Sequence, residues 1–196
     1  MEILIHTIDG GVTRLVQDDE ALAEKICQSI HPKTLYAQPN LIVLASGALH
    51  SFSTVGITRI DVLTTHPFDF PLPESIASLR AIPTAEFQSR YPVDRLPLLP
   101  GHTSVFAEFA IAGGAPQFVE VLLDQTPRVG LDNIPLPVDS SLVLQHRLSS
   151  SVFFFECEGG VSLVNPAHVL RMSLYPAPPT MPMEGAVNTT WVAALA

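Results

Sequence analysis

The sequence predicts a β-rich α+β fold made of two similar halves of β-hairpins and meanders, with one clear helix near residues 18–30. Three observations carry that expectation. Short β-branched and apolar runs are punctuated by glycine pairs, a single stretch shows sustained helical periodicity, and the hydrophobic pattern repeats at an offset of 112 residues.

Residues 2–8, EILIHTI, alternate Ile3, Ile5 and Thr7 against Leu4, His6 and Ile8, which suits a strand partly covered on both faces, and DGG then turns the chain. Asp18 or Asp19 fits a helix cap, after which Leu22, Ile26 and Ile30 recur every fourth residue with Ala23 and Cys27 beside them. The acidic run QDDE at 17–20 reads as the start of this helix rather than a metal site, because acidic side chains favour the positive end of the helix dipole. Pro32 disfavours its continuation past His31-Pro32-Lys33.

Residues 41–63 read as three short strands broken at Ser46-Gly47 and around Gly56. The segment 66–103 holds seven prolines and two short stretches suited to helix, ESIASLR and TAEFQSRY, and reads as a long connection over the surface. A hairpin through Gly113-Gly114 is expected at 104–124, followed by strands in SLVLQHRL, SVFFFECE, GVSLVN and HVLRMSLY. The chain thus divides into an N-terminal half at 1–65, the proline-rich connection at 66–103, a C-terminal half at 104–175 and a proline-rich tail with an apolar end at 176–196.

Laid without gaps over residues 153–175, residues 41–63 match Gly47 to Gly159, Leu49 to Val161, Phe52 to Val164, Ile57 to Val169, Arg59 to Arg171 and Ile60 to Met172. Identity is confined to the glycine and the arginine, so the resemblance is one of pattern. Two such units sharing a sheet, closing a barrel or forming adjacent subdomains would all satisfy it. Alternation sets Ile60, Val62, Met172 and Leu174 on a buried face and Arg59, Asp61, Arg171 and Ser173 on the other.

Composition narrows the function classes. With 47% hydrophobic and 15% charged residues the chain can bury a core, and 10 basic against 19 acidic residues work against nucleic acid or an anionic membrane as partner. The only lysines are Lys25 and Lys33, so no basic cluster hides in that average. No apolar run approaches the roughly 20 residues that span a bilayer. Two cysteines and an opening without a secretion signal make cytoplasmic residence the default expectation.

No catalytic, cofactor or metal residue emerges from the motifs. The histidines, at 6, 31, 50, 66, 102, 146 and 168, show no H-x-H, H-x-x-x-H or H-E-x-x-H spacing. Glu156, Cys157, Glu158 and His168 cluster in sequence, but alternation turns Cys157 away from both glutamates. No serine sits in a G-x-S-x-G elbow, and carboxylates beside Cys157 raise a thiol's pKa. The pairs Gly10-Gly11, Gly113-Gly114 and Gly159-Gly160 lack the order of a phosphate loop and read as turns. The tail stands out instead: PAPPTMPM is a stiff spacer carrying Trp191, Val192 and Leu195 as candidate partner-docking anchors. These features favour a non-catalytic protein-binding, assembly or regulatory module working through sheet edges and tail, with a protein partner or self-association. The alternative is an enzyme or small-molecule binder with a pocket between the halves, lined from 66–103 by groups such as His66, Asp69, Arg90, Asp94 and His102.

Overall fold

Alternating apolar residues become strands, and the glycine pairs become the turns that join them. The computed structural model describes residues 1–68, 70–72, 76–90, 104–123, 128–129, 135–136 and 153–175. Its strands are β1 (Glu2–Thr7), β2 (Val12–Val16), β3 (Asn40–Ala45), β4 (Ala48–Ser53), β5 (Ile57–Leu63), β6 (Ile76–Ile82), β7 (Ser104–Ile111), β8 (Gln117–Leu123), β9 (Arg128–Val129), β10 (Pro135–Leu136), β11 (Phe153–Cys157), β12 (Gly160–Val164) and β13 (Val169–Tyr175). The helices are α1 (Glu20–Ser29), α2 (Pro32–Leu35) and α3 (Thr84–Arg90), and single 3-10 turns occupy Thr54–Gly56 and Pro166–His168. The strand expected over SLVLQHRL lies outside the described residues.

Among the described residues nine strands form one mixed sheet in the order β13-β7-β8-β6-β11-β12-β5-β1-β2, while β3 with β4, and β9 with β10, make separate two-stranded sheets. The pairings in the large sheet are antiparallel except that of β6 with β11. Both halves therefore share one sheet, joined where β12 adds to the outer edge of β5 and β11 to β6.

The shared strands face two cores at once. Phe154, Val161 and Leu163 pack with Ile5, Ile60 and Val62, whereas Phe155 and Val164 pack with Val105, Phe109, Val119 and Val121. Adjacent residues of one strand point to opposite faces, so the two cores lie on opposite sides of the sheet at this seam. Ile60 and Val62 consequently belong to one core and Met172 and Leu174 to the other. Asp61, on the face opposite Ile60, is buried as well.

Helix α1 starts where expected: Asp19 caps it, its carboxylate accepting from Leu22 N at 3.1 Å. Its buried line runs through Ala23 and Cys27, while Leu22 is exposed. The buried face is thus shifted by one residue from the Leu22–Ile26–Ile30 stripe. Pro32 ends this helix and opens the next, at a first-turn position where its missing N–H costs nothing.

The connection at 66–103 contains a correction. TAEFQSR is helix α3, but the described part of ESIASLR is not helical; from Ile76 it belongs to β6, an inner strand of the large sheet. The spacing Ile76–Leu79–Ile82 mimics a helix face: a register shift between Ile76 and Ser78 puts Ile76 and Leu79 in one core, while Ile82 packs from the opposite face with Phe87 and Phe106. All three are buried because both faces of β6 are covered.

The elements aligned by the 112-residue offset correspond closely. The 3-10 turns Thr54–Gly56 and Pro166–His168 and the strands Ile57–Leu63 and Val169–Tyr175 superpose residue for residue in number. β5 pairs with β1, and β13 with β7, through the same irregularity: Thr7–Ile57 then His6–Arg59, against Ile111–Val169 then Ala110–Arg171. Ile8 N donates to Gly56 O and Ala112 N to His168 O, both at 3.0 Å.

Two glycines are fixed by close approach. Gly113, at φ +72, would set a Cβ 2.5 Å from Ile8 O, so the β7–β8 turn packs directly on the β1–β2 turn. A Cβ on Gly160 would lie 1.9 Å from Val62 O, in the ladder that joins the halves. Gly160→Ala is expected to destabilise the fold by about 1–3 kcal/mol or more. Urea unfolding checks this; an unchanged midpoint would contradict the tight β12–β5 contact.

Candidate functional site

Strand pairing assembles one buried polar cluster. Arg59 and Asp61 share a face of β5; His6 lies opposite Arg59 on β1, and Ser162 lies opposite Asp61 on β12. Asp61 is the hub. His6 Nε2 is 2.7 Å from its Oδ2, Ser162 Oγ donates to its Oδ1 at 2.6 Å, and Arg59 Nε lies 3.0 Å from Oδ1 without hydrogen-bond alignment. Arg59 Nη2 is also 3.1 Å from His6 Nε2, which can serve only one of the two at a time. Donation to the carboxylate is the charge-assisted and stronger choice. Burial opposes ionisation of Asp61, but the His6 hydrogen bond, the Arg59 charge and Ser162 outweigh it and hold its pKa below the ordinary value.

The arrangement is not that of a serine–histidine pair. Ser162 donates to the carboxylate rather than to His6, and a carboxylate whose pKa is lowered is a weak base toward a hydroxyl. Cys157 is the nearest thiol, and burial, reinforced by the charge of Asp61, pushes its pKa up despite Ser162. The pressure on the thiol thus comes from burial and Asp61, and not from the flanking Glu156 and Glu158. Cys27 is likewise raised by burial.

A second carboxylate anchors α3. Glu120 on β8, 4% exposed as a side chain, accepts from Arg80 Nη2 and Arg90 Nη1, each at 2.9 Å, and from Arg90 Nη2. Arg90 hydrogen bonding lowers its pKa, against burial and with help from Arg80. Phe87 stacks on Phe118 with ring centroids 4.5 Å apart, sealing the helix onto the sheet. Arg90, one of the five groups expected around a pocket, is therefore engaged here.

His66 does line a cavity, of about 420 Å³, walled by Phe68, Phe70, Leu72, Phe154 and Cys157 among others. Its Nε2 is 3.2 Å from the exposed Glu20 carboxylate. Asp69, Asp94 and His102 lie outside the described residues, as do Trp191, Val192 and Leu195. His168 is placed elsewhere: its Nε2 meets Val55 O at 2.6 Å, and Asn165 Nδ2 donates to Thr54 O and Ile57 O, clamping one 3-10 turn to the other. Among the described residues no three of His, Cys, Asp and Glu group as metal ligands, and no helix is long and apolar enough to cross a membrane.

The outer surface carries the third feature. From Thr34 to Thr58 the chain has no Asp, Glu, Lys or Arg, and the β3–β4 hairpin within that stretch exposes Ile42 (55%), Leu44 (78%) and Leu49 (70%). Its outer edges pair with no strand among the described residues. By contrast Phe154 and Val161, which hold the places of Ile42 and Leu49 in the second half, pack into the core on β5.

Comparison with known proteins returns no match: no family model fits the chain, and no curated protein or solved structure is significantly similar to it.

Asp61 and Glu120 both have depressed folded-state pKa values, so the stability each contributes is present above the ordinary carboxylate pKa of about 4 and is lost as pH falls through the folded value. Asp61→Ala removes the counter-charge of the partly buried Arg59 and the acceptor of Ser162, and is expected to cost about 3 kcal/mol at neutral pH. The variant's stability should also vary less than that of the parent between about pH 5 and pH 2. Urea titrations across that range check both; parallel curves would remove Asp61 from its role as hub.

Proposed function

We propose that the protein is a non-catalytic assembly module, built by internal duplication, that binds other chains by adding strands at its open sheet edges. The observation that carries this reading is the β3–β4 hairpin. It has no formal charge along either strand, exposes Ile42, Leu44 and Leu49, and has unpaired edges among the described residues, whereas the matching hairpin is filled in on both sides. An uncharged apolar edge is a template for backbone pairing, and natural sheets ordinarily blunt such edges with charge, proline or cover. The acidic balance of 10 against 19 charged residues suits a protein partner better than nucleic acid.

The tail supplies a second contact in this reading, with Trp191, Val192 and Leu195 as apolar anchors beyond a proline-rich spacer. The cytoplasm is the proposed setting.

Two experiments test these contacts separately. Ile42→Lys with Leu49→Lys alters only exposed positions, so the fold should persist while self-association and capture of partners from the native host weaken at least tenfold. Light scattering and affinity capture read both; no change in either would sink strand addition. Deletion of residues 184–196 should also reduce capture, and an unaltered partner set and oligomeric state would end the tail's part in the proposal.

A further inference from the structure

The structure contains a template for one of the missing contacts. β12 lies on the outer edge of β5, with Val161 opposite Val62, Ser162 opposite Asp61 and Leu163 opposite Ile60. At the 112-residue offset β4 holds the place of β12 and β13 that of β5. Among the described residues β4 pairs only with β3, and β13 only with β7.

Burial differs as a missing ladder would require. Ile60 and Val62 are 3% and 0% exposed, while their counterparts Met172 and Leu174 are only half-buried. Thr58, the residue bulged out of the β5–β1 pairing, is buried and its carbonyl accepts from Asn165 N at 3.0 Å. Its counterpart Leu170 is 73% exposed, and the donor corresponding to Asn165 N is Ser53 N.

We propose that β4 of one copy of this chain adds antiparallel to the outer edge of β13 in a second copy, in the register that β12 and β5 use within the chain. The proposal rests on the strand-addition reading above and names its partner. Leu49 then lies opposite Leu174, His50 opposite Ser173 and Ser51 opposite Met172, and Ser53 N–H reaches Leu170 O. Leu49 and Ile42 come to cover the Met172–Leu174 side as Val161 and Phe154 cover Val62 and Ile60. The ladder starts at Leu49 rather than Ala48, because Ala48 carries a Cβ where Gly160 has none and where contact with the facing strand is closest. Among the described residues each copy offers one β4 edge and one β13 edge, so a two-fold pair uses both.

Cross-linking tests the register. Thr64 N donates to Gly159 O and Asn165 N to Thr58 O, which places Ser162–Asp61, and by correspondence His50–Ser173, at a position without direct backbone bonds. Cα atoms there stand about 4.5 Å apart, within disulfide range. Under mild oxidation, an equimolar mixture of His50→Cys and Ser173→Cys proteins should give a disulfide-linked dimer that neither variant gives alone, nor the parent with Cys27 and Cys157. Leu49→Cys mixed with Ser173→Cys, one residue out of register, should link at least tenfold less. Light scattering should find the parent dimeric and Leu49→Lys monomeric. Absence of the mixed cross-link, a link formed only inside one chain carrying both cysteines, or a parent monomeric at all concentrations overturns the proposal. If self-pairing fails while Leu49→Lys still loses captured partners, strand addition to a different protein stands; if Leu49→Lys changes nothing, both readings fall.

Discussion

Strand β12 pairs with β5 over five residues, from Gly160–Leu63 to Val164–Arg59, and this ladder organises everything around it. It merges the two halves into one sheet. It also turns β11 and β12 into a wall common to both cores, with Phe155 and Val164 on one side and Phe154, Val161 and Leu163 on the other. Val62, Leu163 and Val164 are each fully buried, and burying a side chain of that size contributes about 1.5–3 kcal/mol. Such burial is available only if the ladder forms, so neither half completes its core alone. Gly160 is the narrowest point of that arrangement, since no side chain fits between its backbone and Val62 O.

The same ladder creates an electrostatic problem and solves it locally. Bringing β12 onto β5 buries Asp61, and a buried carboxylate is tolerable only when its lone pairs and charge are matched. Ser162 arrives with β12 itself, His6 comes from β1, and Arg59 sits two residues away on the same face. Around β13 the acid lies on the facing strand instead. Glu108 on β7 takes the place of Leu4, Ser173 that of Asp61, and Arg171 Nη2 donates to Glu108 Oε1 at 2.6 Å. Arg59 and Arg171 hold matching positions in β5 and β13, the first beside an acid on its own strand and the second paired with an acid on the facing strand.

Local signals were legible in the residues and long-range ones were not. The hairpin turns, the Asp19-capped helix and the three strands of 41–63 follow from glycine, capping and alternation, all within a few residues of each other. β6 was hidden because a bulge before Leu79, together with burial on both faces, gives Ile76, Leu79 and Ile82 the spacing of a helix. Half of the polar cluster was visible, since Arg59 and Asp61 share a face by alternation. His6 and Ser162 join it across 55 and 101 residues of sequence, set by register alone. His66 reaches a cavity wall, but His168 is spent on Val55 O, a contact over 113 residues that no spacing announces.

Edge protection gives the exposed hairpin its meaning. At one end of the large sheet, β2, which pairs only with β1 among the described residues, is five residues long and carries Arg14, which is held by the carboxylate of Glu2 through two hydrogen bonds. Short length and charge are the ordinary defences of such an edge. The β3–β4 hairpin has six residues per strand, no formal charge and no proline within either strand. A sequence that needed this hairpin only as a cover for its own core would keep Leu41 and Phe52, which face inward, and place polar groups at 42, 44 and 49. Leucine or isoleucine at all three instead leaves an uncharged apolar surface beside a backbone edge, and this is the physical basis of the strand-addition proposal.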